Sequence, residues 1–380
     1  MGLPRILAVL AAVTALMTGC SHTSKPASAP PPPSPAKTIP PARPACGDPA
    51  AIPLRDKLAQ LLMVGVRNGD DAKTVVATYH VGGIFIGSWT DLSMLGPNLV
   101  KDLSVSTALP LAVSVDEEGG RVARLSKLIG PAPSARELAQ KHTPDEVYGM
   151  ALDRGHRMRG LGITVDFAPD VDVTDAPDDT VIGDRSFSSD PAKVTEYAAA
   201  YARGLRDASV LPVIKHFPGH GHGSGDSHTG GVVTPPLSTL QNDDLIPYRT
   251  LVTAAPVGVM VGHLQVPELT GDEPASVNRA AVQLLRTGTG YRAPAFDGPV
   301  FSDDLSSMAA IKDRYSVPDA VLKTLQAGVD VALWVTTDEV PAVLDRLEKA
   351  VAAGELTVAG VDTSVQRIKK FKGAKSDCGP

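Results

Sequence analysis

Residues 210–228 read VLPVIKHFPGHGHGSGDSH, and the rest of the chain is organised around this stretch. Its first part, Val210–Ile214, is a short apolar run that predicts a buried strand. The remainder, Lys215–His228, holds four histidines, a lysine and an aspartate among glycines. Polar side chains on so permissive a backbone do not fill a core. We therefore predict a loop that carries chemistry at the end of a buried strand.

The histidines of this loop permit three interpretations. The loop can be a solvated glycine-rich turn. It can be a metal site, with His220 and His222 joined by a third imidazole, although glycines would not hold such ligands in a fixed geometry. It can also be a catalytic acid/base, because Asp226, two residues before His228, can set the tautomer of that imidazole. The loop taken alone leaves all three open.

Apolar runs of the same kind recur along the chain, and most are rich in Val and Ile and continuous, as expected for strands buried on both faces. The eight runs are Leu61–Val66, Gly83–Ile86, Leu111–Val115, Ile163–Phe167, Val210–Ile214, Val257–Val261, Pro299–Phe301 and Val329–Trp334. Helical patterns lie between them. Eight strand–helix units predict an α/β fold, a single (β/α)8 barrel of the TIM type with long loops. A doubly wound open sheet is the alternative, but no G-x-G-x-x-G follows the first strand.

Three helices are clear from their end signals. Asp190-Pro191 begins one that runs to about Asp207, with Asp at the cap and Pro at the first position. Thr143-Pro144 begins another that continues through Arg159. Pro318–Gln326 is the third, and Gly328 ends it.

Ionisable residues follow five successive predicted strands, from the third to the seventh. A barrel carries its chemistry at this end of its strands. A single carboxylate there can be a helix cap, whereas five strand ends in succession predict an active site. The residues concerned are Asp116, Glu117, Glu118, Arg121 and Arg124, then Asp166, Asp170, Asp172, Asp184 and Arg185, then the His-rich loop, then His263, and finally Asp303 and Asp304.

Composition limits the classes of partner. The 380 residues are 43% hydrophobic, which is enough for one large core or two smaller ones. A formal net charge of −6 argues against nucleic acid or an anionic membrane as the primary partner. Aromatic residues are only 4%, so no long stacking platform is apparent in the composition.

The N-terminus has the pattern of an export signal. Arg5 precedes an apolar run too short to span a bilayer, and small residues end it just before Cys20. This resembles a bacterial lipoprotein signal in which Cys20 is lipidated. We predict a signal peptide over residues 1–19, a Pro/Ala/Ser-rich tether over 20–45 and a catalytic domain over 46–380. The protein would then be anchored in the cell membrane by lipid, on its extracytoplasmic side.

Two further cysteines, Cys46 and Cys378, lie at opposite ends of the predicted domain. In an exported protein, a pair left over after lipidation suggests a disulfide that ties the two ends together.

Several motifs resemble those of bacterial β-N-acetylhexosaminidases of glycoside hydrolase family 3, the peptidoglycan-recycling type. The similarity covers roughly Leu54 to Lys370. Its most specific element is the string Lys-His-Phe-Pro-Gly-His-Gly followed by Asp-Ser-His. The matching segments are Val81–Gly87, Val115–Val122, Ile182–Phe187, Lys215–Gly221 with Asp226–His228, and Phe301–Leu305.

The resemblance implies a role for each matching position. Asp303 corresponds to the nucleophile of the family, His228 to its general acid/base, and Asp226 to the carboxylate paired with that histidine. Retaining hydrolysis through a covalent glycosyl-enzyme would follow. The positions that would bind the terminal N-acetylglucosamine are Asp116, Arg124, Arg185, Lys215, His216 and His263. The resemblance implies no cofactor and no catalytic metal.

The predicted function is therefore that of an exo-β-N-acetylglucosaminidase acting on cell-wall saccharides as a monomer. Three alternatives remain at this point. A neutral histidine does not repel phosphate, so transfer to phosphate, as in a phosphorylase, is open. A zinc hydrolase could use the four loop histidines His216, His220, His222 and His228. A sugar-binding lipoprotein without enzymatic activity would share the signal and tether.

Overall fold

Eight parallel strands form the centre of the molecule in the computed structural model, which describes residues 52–104, 107–254 and 256–373. The strands, β1 to β8 in chain order, are Leu62–Gly65, Gly83–Ile86, Ala112–Val115, Val165–Asp166, Leu211–Phe217, Gly258–Val261, Val300–Ser302 and Ala332–Trp334. Each pairs in parallel with its neighbours in the order β7-β6-β5-β4-β3-β2-β1-β8. Cys20, Cys46 and Cys378 lie outside the described residues, so their lipidation and pairing stay predictions.

The sheet closes on itself between β7 and β8. Phe301 forms a parallel bridge with Val331, just before β8. Ser302 contributes twice, because its backbone N–H donates to the Val331 carbonyl at 3.0 Å and its hydroxyl accepts from the Leu333 N–H at 2.9 Å. Closure removes the free edges of an open sheet. The predicted TIM-type barrel is therefore confirmed, and the doubly wound alternative is wrong.

Helices surround this barrel. Within the described residues the α-helices are Leu54–Gln60, Gly69–Tyr79, Leu99–Leu103, Ser126–Ile129, Ala135–Lys141, Pro144–Gly160, Pro191–Asp207, Leu237–Leu240, Ile246–Leu251, Arg279–Thr287, Ala309–Lys312, Val317–Ala327, Val340–Ala352 and Val358–Phe371. None of these is both long and apolar enough to cross a bilayer. Short 3₁₀ turns occur at Leu92–Met94, Gly183–Arg185 and Ala275–Val277.

The end signals act as predicted. Thr143 and Glu146 form a reciprocal capping box, with the Thr143 N–H donating to the Glu146 carboxylate at 2.7 Å. The Asp190 side chain accepts from the N–H of Ala192 at 2.9 Å. Gly328 ends its helix at φ 106°, a left-handed conformation that favours glycine.

Aromatic residues fill the inside of the barrel. Phe167 packs edge-on against Phe301, with ring centroids 5.6 Å apart, and it also packs against Phe85 at 5.9 Å. These side chains come from β2, from the residue after β4 and from β7, so one cluster joins both sides of the ring. The cluster supports the strand ends that form the mouth of the barrel.

Most strand boundaries differ from the prediction by a few residues, and the difference at the end of the fifth strand affects the site. The fifth strand was expected to end at Ile214, yet β5 continues to Phe217 and is buried throughout. Lys215 and His216 are therefore strand residues and not loop residues. The apolar pattern in the sequence ends at Lys215 because that side chain is charged. In the folded protein its charge is paired with Asp116 and Glu118, so the strand continues.

Candidate active site

A cavity of about 370 Å³ opens at the carboxyl ends of the strands. It is lined by side chains that follow β2, β3, β4, β5 and β7, as the barrel prediction requires. Seven of the predicted site residues line it: Asp116, Arg124, Arg185, Lys215, His216, His228 and Asp303.

Lys215 lies at the centre of the buried part of the cavity wall. Its ammonium is 2.6 Å from Asp116 and 2.5 Å from Glu118. Burial lowers the pKa of Lys215, but these two carboxylates raise it above its ordinary value overall. Lys215 is therefore a permanent cation. Because it contacts only one oxygen of Asp116, the other oxygen of that carboxylate remains available to a ligand hydroxyl.

Glu118 joins this lysine to an arginine. Arg185 grips the Glu118 carboxylate with two nitrogens, at 2.8 and 2.9 Å. Burial raises the pKa of Glu118, whereas Arg185 and Lys215 lower it, and the net shift is downward. The same carboxylate raises the pKa of Arg185 well above its ordinary value, against the effect of burial. The result is a rigid, charged wall whose geometry is set before any ligand arrives.

His216 is held by a carboxylate on its far side. Its Nδ1 lies 2.7 Å from Asp172, which also accepts the backbone N–H of His220 at 2.6 Å. Burial raises the pKa of Asp172, but His216 lowers it by more. The net shift is downward, so this carboxyl is ionised. Asp170, buried beside it, has its pKa raised well above the ordinary value by burial and by the charge of Asp172. The Nε2 edge of His216 is thereby directed to the cavity, near Arg185 at 3.4 Å.

Asp303 follows β7 and presents a half-buried carboxylate to the cavity. The N–H of Asp304 donates to its Oδ1 at 2.9 Å. Burial raises the pKa of Asp303, but His263 and His216 together with this backbone bond lower it overall. Asp303 is therefore ionised at neutral pH, the state that a nucleophile requires.

His263 does not line the cavity. It is 1% exposed, and both of its ring nitrogens are occupied. Nε2 donates to the Asp304 carbonyl at 2.7 Å, so Nδ1 accepts from the Ser276 hydroxyl at 2.6 Å. The expected contact between His263 and the sugar is corrected accordingly: it is a positioning residue that fixes the turn carrying Asp303.

The His228–Asp226 pair forms as predicted. The His228 Nδ1 is 2.7 Å from Asp226, and the same oxygen accepts the His228 backbone N–H at 2.9 Å. Burial raises the pKa of Asp226, but these two bonds lower it overall. His228 lines the cavity with a side chain that is 61% exposed, whereas Asp226 stands behind it.

Backbone bonds hold this pair beside the turn that carries Asp303. The N–H of Ala309 donates to the His228 carbonyl at 3.4 Å, and that of Ala310 donates to the Ser227 carbonyl at 3.2 Å. Both alanines begin the short helix that follows the Asp303 turn. Hence the loop from β5 and the loop from β7 are joined beside the cavity, and both His228 and Asp303 line it.

The four loop histidines do not converge as a metal site. Two groups of three potential ligands occur in the described ranges, Asp170 with Asp172 and His216, and His222 with Asp243 and Asp244, and each contains a single histidine. The first is already joined by the hydrogen bond between His216 and Asp172. Neither group includes Asp303 or His228.

From the sequence, Glu118 and Asp172 are only strand-end carboxylates, His220 is only a candidate metal ligand, and Trp89 has no predicted role. The ion partners of the two acids lie far away along the chain, so no local pattern could reveal them. Trp89 and His220 line the cavity, and the His220 ring nitrogens are buried without a hydrogen-bond partner in the described structure.

Comparison with known proteins places this geometry in context. Residues 53–371 match the protein family described as "Glycosyl hydrolase family 3 N terminal domain". "Beta-hexosaminidase LpqI" of Mycobacterium tuberculosis is 65% identical over 387 aligned positions, covering 100% of both chains. The solved structure "M tuberculosis LpqI" has a TM-score of 0.85 and 68% identity, covering 87% of this chain and 98% of that one. A family 3 β-N-acetylglucosaminidase from Paenibacillus sp. has a TM-score of 0.76 and 31% identity, covering 87% and 64%.

Proposed function

Since the chain belongs to glycosyl hydrolase family 3, we propose that it is a retaining exo-β-N-acetylglucosaminidase that removes terminal β-linked N-acetylglucosamine from peptidoglycan fragments. The relatives carry the coarser part of this statement, a glycoside hydrolase of the β-hexosaminidase type. The finer part rests on one observation: Asp303 and His228 line the same cavity, and His228 is hydrogen-bonded to Asp226 behind it.

The reaction has two steps. In the first, the Asp303 carboxylate attacks the anomeric carbon, the bond from that carbon to the leaving oxygen breaks, and His228 gives its proton to that oxygen. In the second, water attacks the same carbon while His228 takes the water proton, and the ester to Asp303 breaks. Asp226 sets the tautomer of His228, because its carboxylate holds Nδ1–H and leaves Nε2 for the substrate.

The charged wall of the cavity binds the sugar. Lys215 is a permanent cation, Asp116 has a free acceptor oxygen, and Arg124 makes no ion pair or hydrogen bond within the described structure. Charge-assisted hydrogen bonds to hydroxyl and acetamide groups are strong in such a cavity. Because Arg185 and His216 are fixed by Glu118 and Asp172, the donors are in place before the sugar binds.

We further propose that the enzyme works on muropeptides outside the cytoplasm, as a monomer anchored by lipid on Cys20. The apolar run before Cys20 and the proline-rich tether after it support the anchor. Such a tether would let an anchored barrel reach wall fragments away from the membrane surface.

The experiment uses a chromogenic β-N-acetylglucosaminide. Asp303→Asn should lower kcat by more than about 1,000-fold, because the charge that forms the covalent bond is lost. A matched control is Asp297→Asn, which alters an exposed carboxylate just before the amino-terminal end of β7, opposite the end that carries Asp303, and paired with Arg367. Equal turnover by wild type and Asp303→Asn would refute the proposal.

His228 is tested with two leaving groups. His228→Ala should slow a substrate with a poor leaving group far more than one with a good leaving group, since only the former needs a proton in the first step. The released sugar is analysed in phosphate buffer. Free N-acetylglucosamine supports hydrolysis, whereas the 1-phosphate would show that phosphate is the acceptor.

A further inference from the structure

Trp89 lies at the rim of the cavity and is 46% exposed. It presents a large apolar and aromatic surface at the opening of the cavity, and covering such a surface with a ligand is favourable. The mechanism above gives this side chain no role. It follows β2, on the part of the mouth formed by Phe85, Gly87 and Ser88.

One face of the indole is fixed. A Cβ atom added to Gly87 would lie 2.3, 2.4 and 2.5 Å from three successive carbons of the six-membered ring. Three nearly equal distances place that position above the face of the ring and not at its edge. The glycine backbone therefore supports the ring from below. Phe85 supports it from the side, with centroids 5.9 Å apart and the planes tilted by 58°.

Exposure increases from the floor of the cavity to this rim. Lys215 is 2% exposed and His216 6%, whereas Trp89 is open to solvent. The terminal sugar needs the charged groups and belongs at the floor. The next sugar along the chain, attached through the leaving oxygen, must then lie toward the opening, where the surface offered to it is aromatic.

We propose that Trp89 is the platform of a second sugar subsite, on which the pyranose ring of the leaving group stacks. The inference rests on the proposed function and deepens it, because it selects substrates whose leaving group is itself a sugar. A pyranose ring presents a face of C–H hydrogens, and these match the negative face of an indole. Gly87 is part of the same subsite, since a larger residue would lift the ring from its support.

The test compares two substrates that share the terminal sugar. One is a disaccharide with N-acetylglucosamine β-linked to a second pyranose, and the other is N-acetylglucosaminyl azide, whose leaving group has no ring. Trp89→Ala should lower kcat/KM about tenfold on the disaccharide, which corresponds to about 1.4 kcal/mol, and leave the azide within about twofold. Trp89→Phe should recover part of the loss.

Gly87→Ala gives a second, independent variant. It keeps the indole but displaces it, so it should reproduce the selective loss on the disaccharide. The control is Val358→Ala, which trims an equally exposed apolar residue on the last helix, away from the cavity. Equal effects of Trp89→Ala on both substrates, or no effect on either, would overturn the subsite. Failure of the proposed function would show differently, as retained turnover in Asp303→Asn.

Discussion

Replacing Glu118 with glutamine tests whether the charged wall is as tightly coupled as its geometry indicates. The Glu118 carboxylate is buried and contacts Arg185 at 2.8 and 2.9 Å and Lys215 at 2.5 Å. Glutamine has nearly the same shape but no charge, so Glu118→Gln leaves Lys215 with Asp116 alone and Arg185 without its two-point carboxylate partner. Removing one partner of a buried ion pair costs about 3–5 kcal/mol, because the remaining charge is uncompensated.

This loss of folding free energy can be expressed as a decrease in the melting temperature, Tm. A destabilisation of 1 kcal/mol lowers Tm by about 2–4 °C in domains of 150–250 residues, and by the lower figure or less in larger ones. We therefore expect Glu118→Gln to melt about 6–10 °C below wild type at pH 7. Activity should fall at least about tenfold as well, since 1.4 kcal/mol of lost alignment is enough for that.

The effect should also depend on pH. The pKa of Glu118 lies below its ordinary 4.5, so the folded state holds fewer protons than the unfolded state between the two pKa values. Its contribution is therefore present above about pH 4.5 and is lost as the pH falls toward the lower value. The difference in Tm between wild type and Glu118→Gln should shrink as the solution is acidified.

A matched control is Glu137→Gln. Glu137 pairs with Lys141 at 2.6 Å, but both side chains are exposed on a helix surface. Such pairs contribute about 0.2–1 kcal/mol, so this variant should melt within about 2 °C of wild type. If Glu118→Gln also melted within that margin and kept full activity, the idea of a pre-formed charged wall would be refuted.

Two further predictions concern the groups that orient the site. Asp172→Asn should raise KM about tenfold with a smaller change in kcat, because His216 loses the ionised partner that directs it to the sugar; steady-state kinetics on the chromogenic substrate checks this. Ala309→Pro removes the N–H donor to the His228 carbonyl, and Met308 before it is already extended at ψ 125°, which proline tolerates. It should lower kcat severalfold with little change in Tm, and an unchanged kcat would contradict the bridging role of that bond.

The fold could be predicted because its signal is local. Continuous apolar runs identify strands buried on both faces, and residues such as Thr143, Asp190 and Gly328 mark helix ends through bonds to their own neighbours. The end of the fifth strand could not be predicted in this way. Lys215 remains in β5 because Asp116, 99 positions earlier, neutralises it, and only the closed barrel brings the two together.

The same distinction applies to the site. The position of Asp303 and His228 after predicted strands was sufficient to place both in one predicted site, because a barrel brings the carboxyl ends of its strands together. It was not sufficient for His263, which follows β6 and yet points behind the cavity to the Asp304 carbonyl. The direction in which a side chain points after a strand depends on which hydrogen-bond partners surround it. Those partners are tertiary contacts, and the local sequence does not reveal them.

The exposure of His228 is consistent with its proposed double role. Lys215 and His216, which would bind the sugar, are buried and paired, and such groups exchange protons with water slowly. An acid that must act as a base in the second step needs a water molecule to reach it while the sugar is still attached to Asp303. A side chain that is 61% exposed, held through its backbone by Ala309 and through Nδ1 by Asp226, meets both demands. In the proposed mechanism the sugar is bound mainly by groups on the strands, whereas the proton is transferred from a loop docked beside the Asp303 turn.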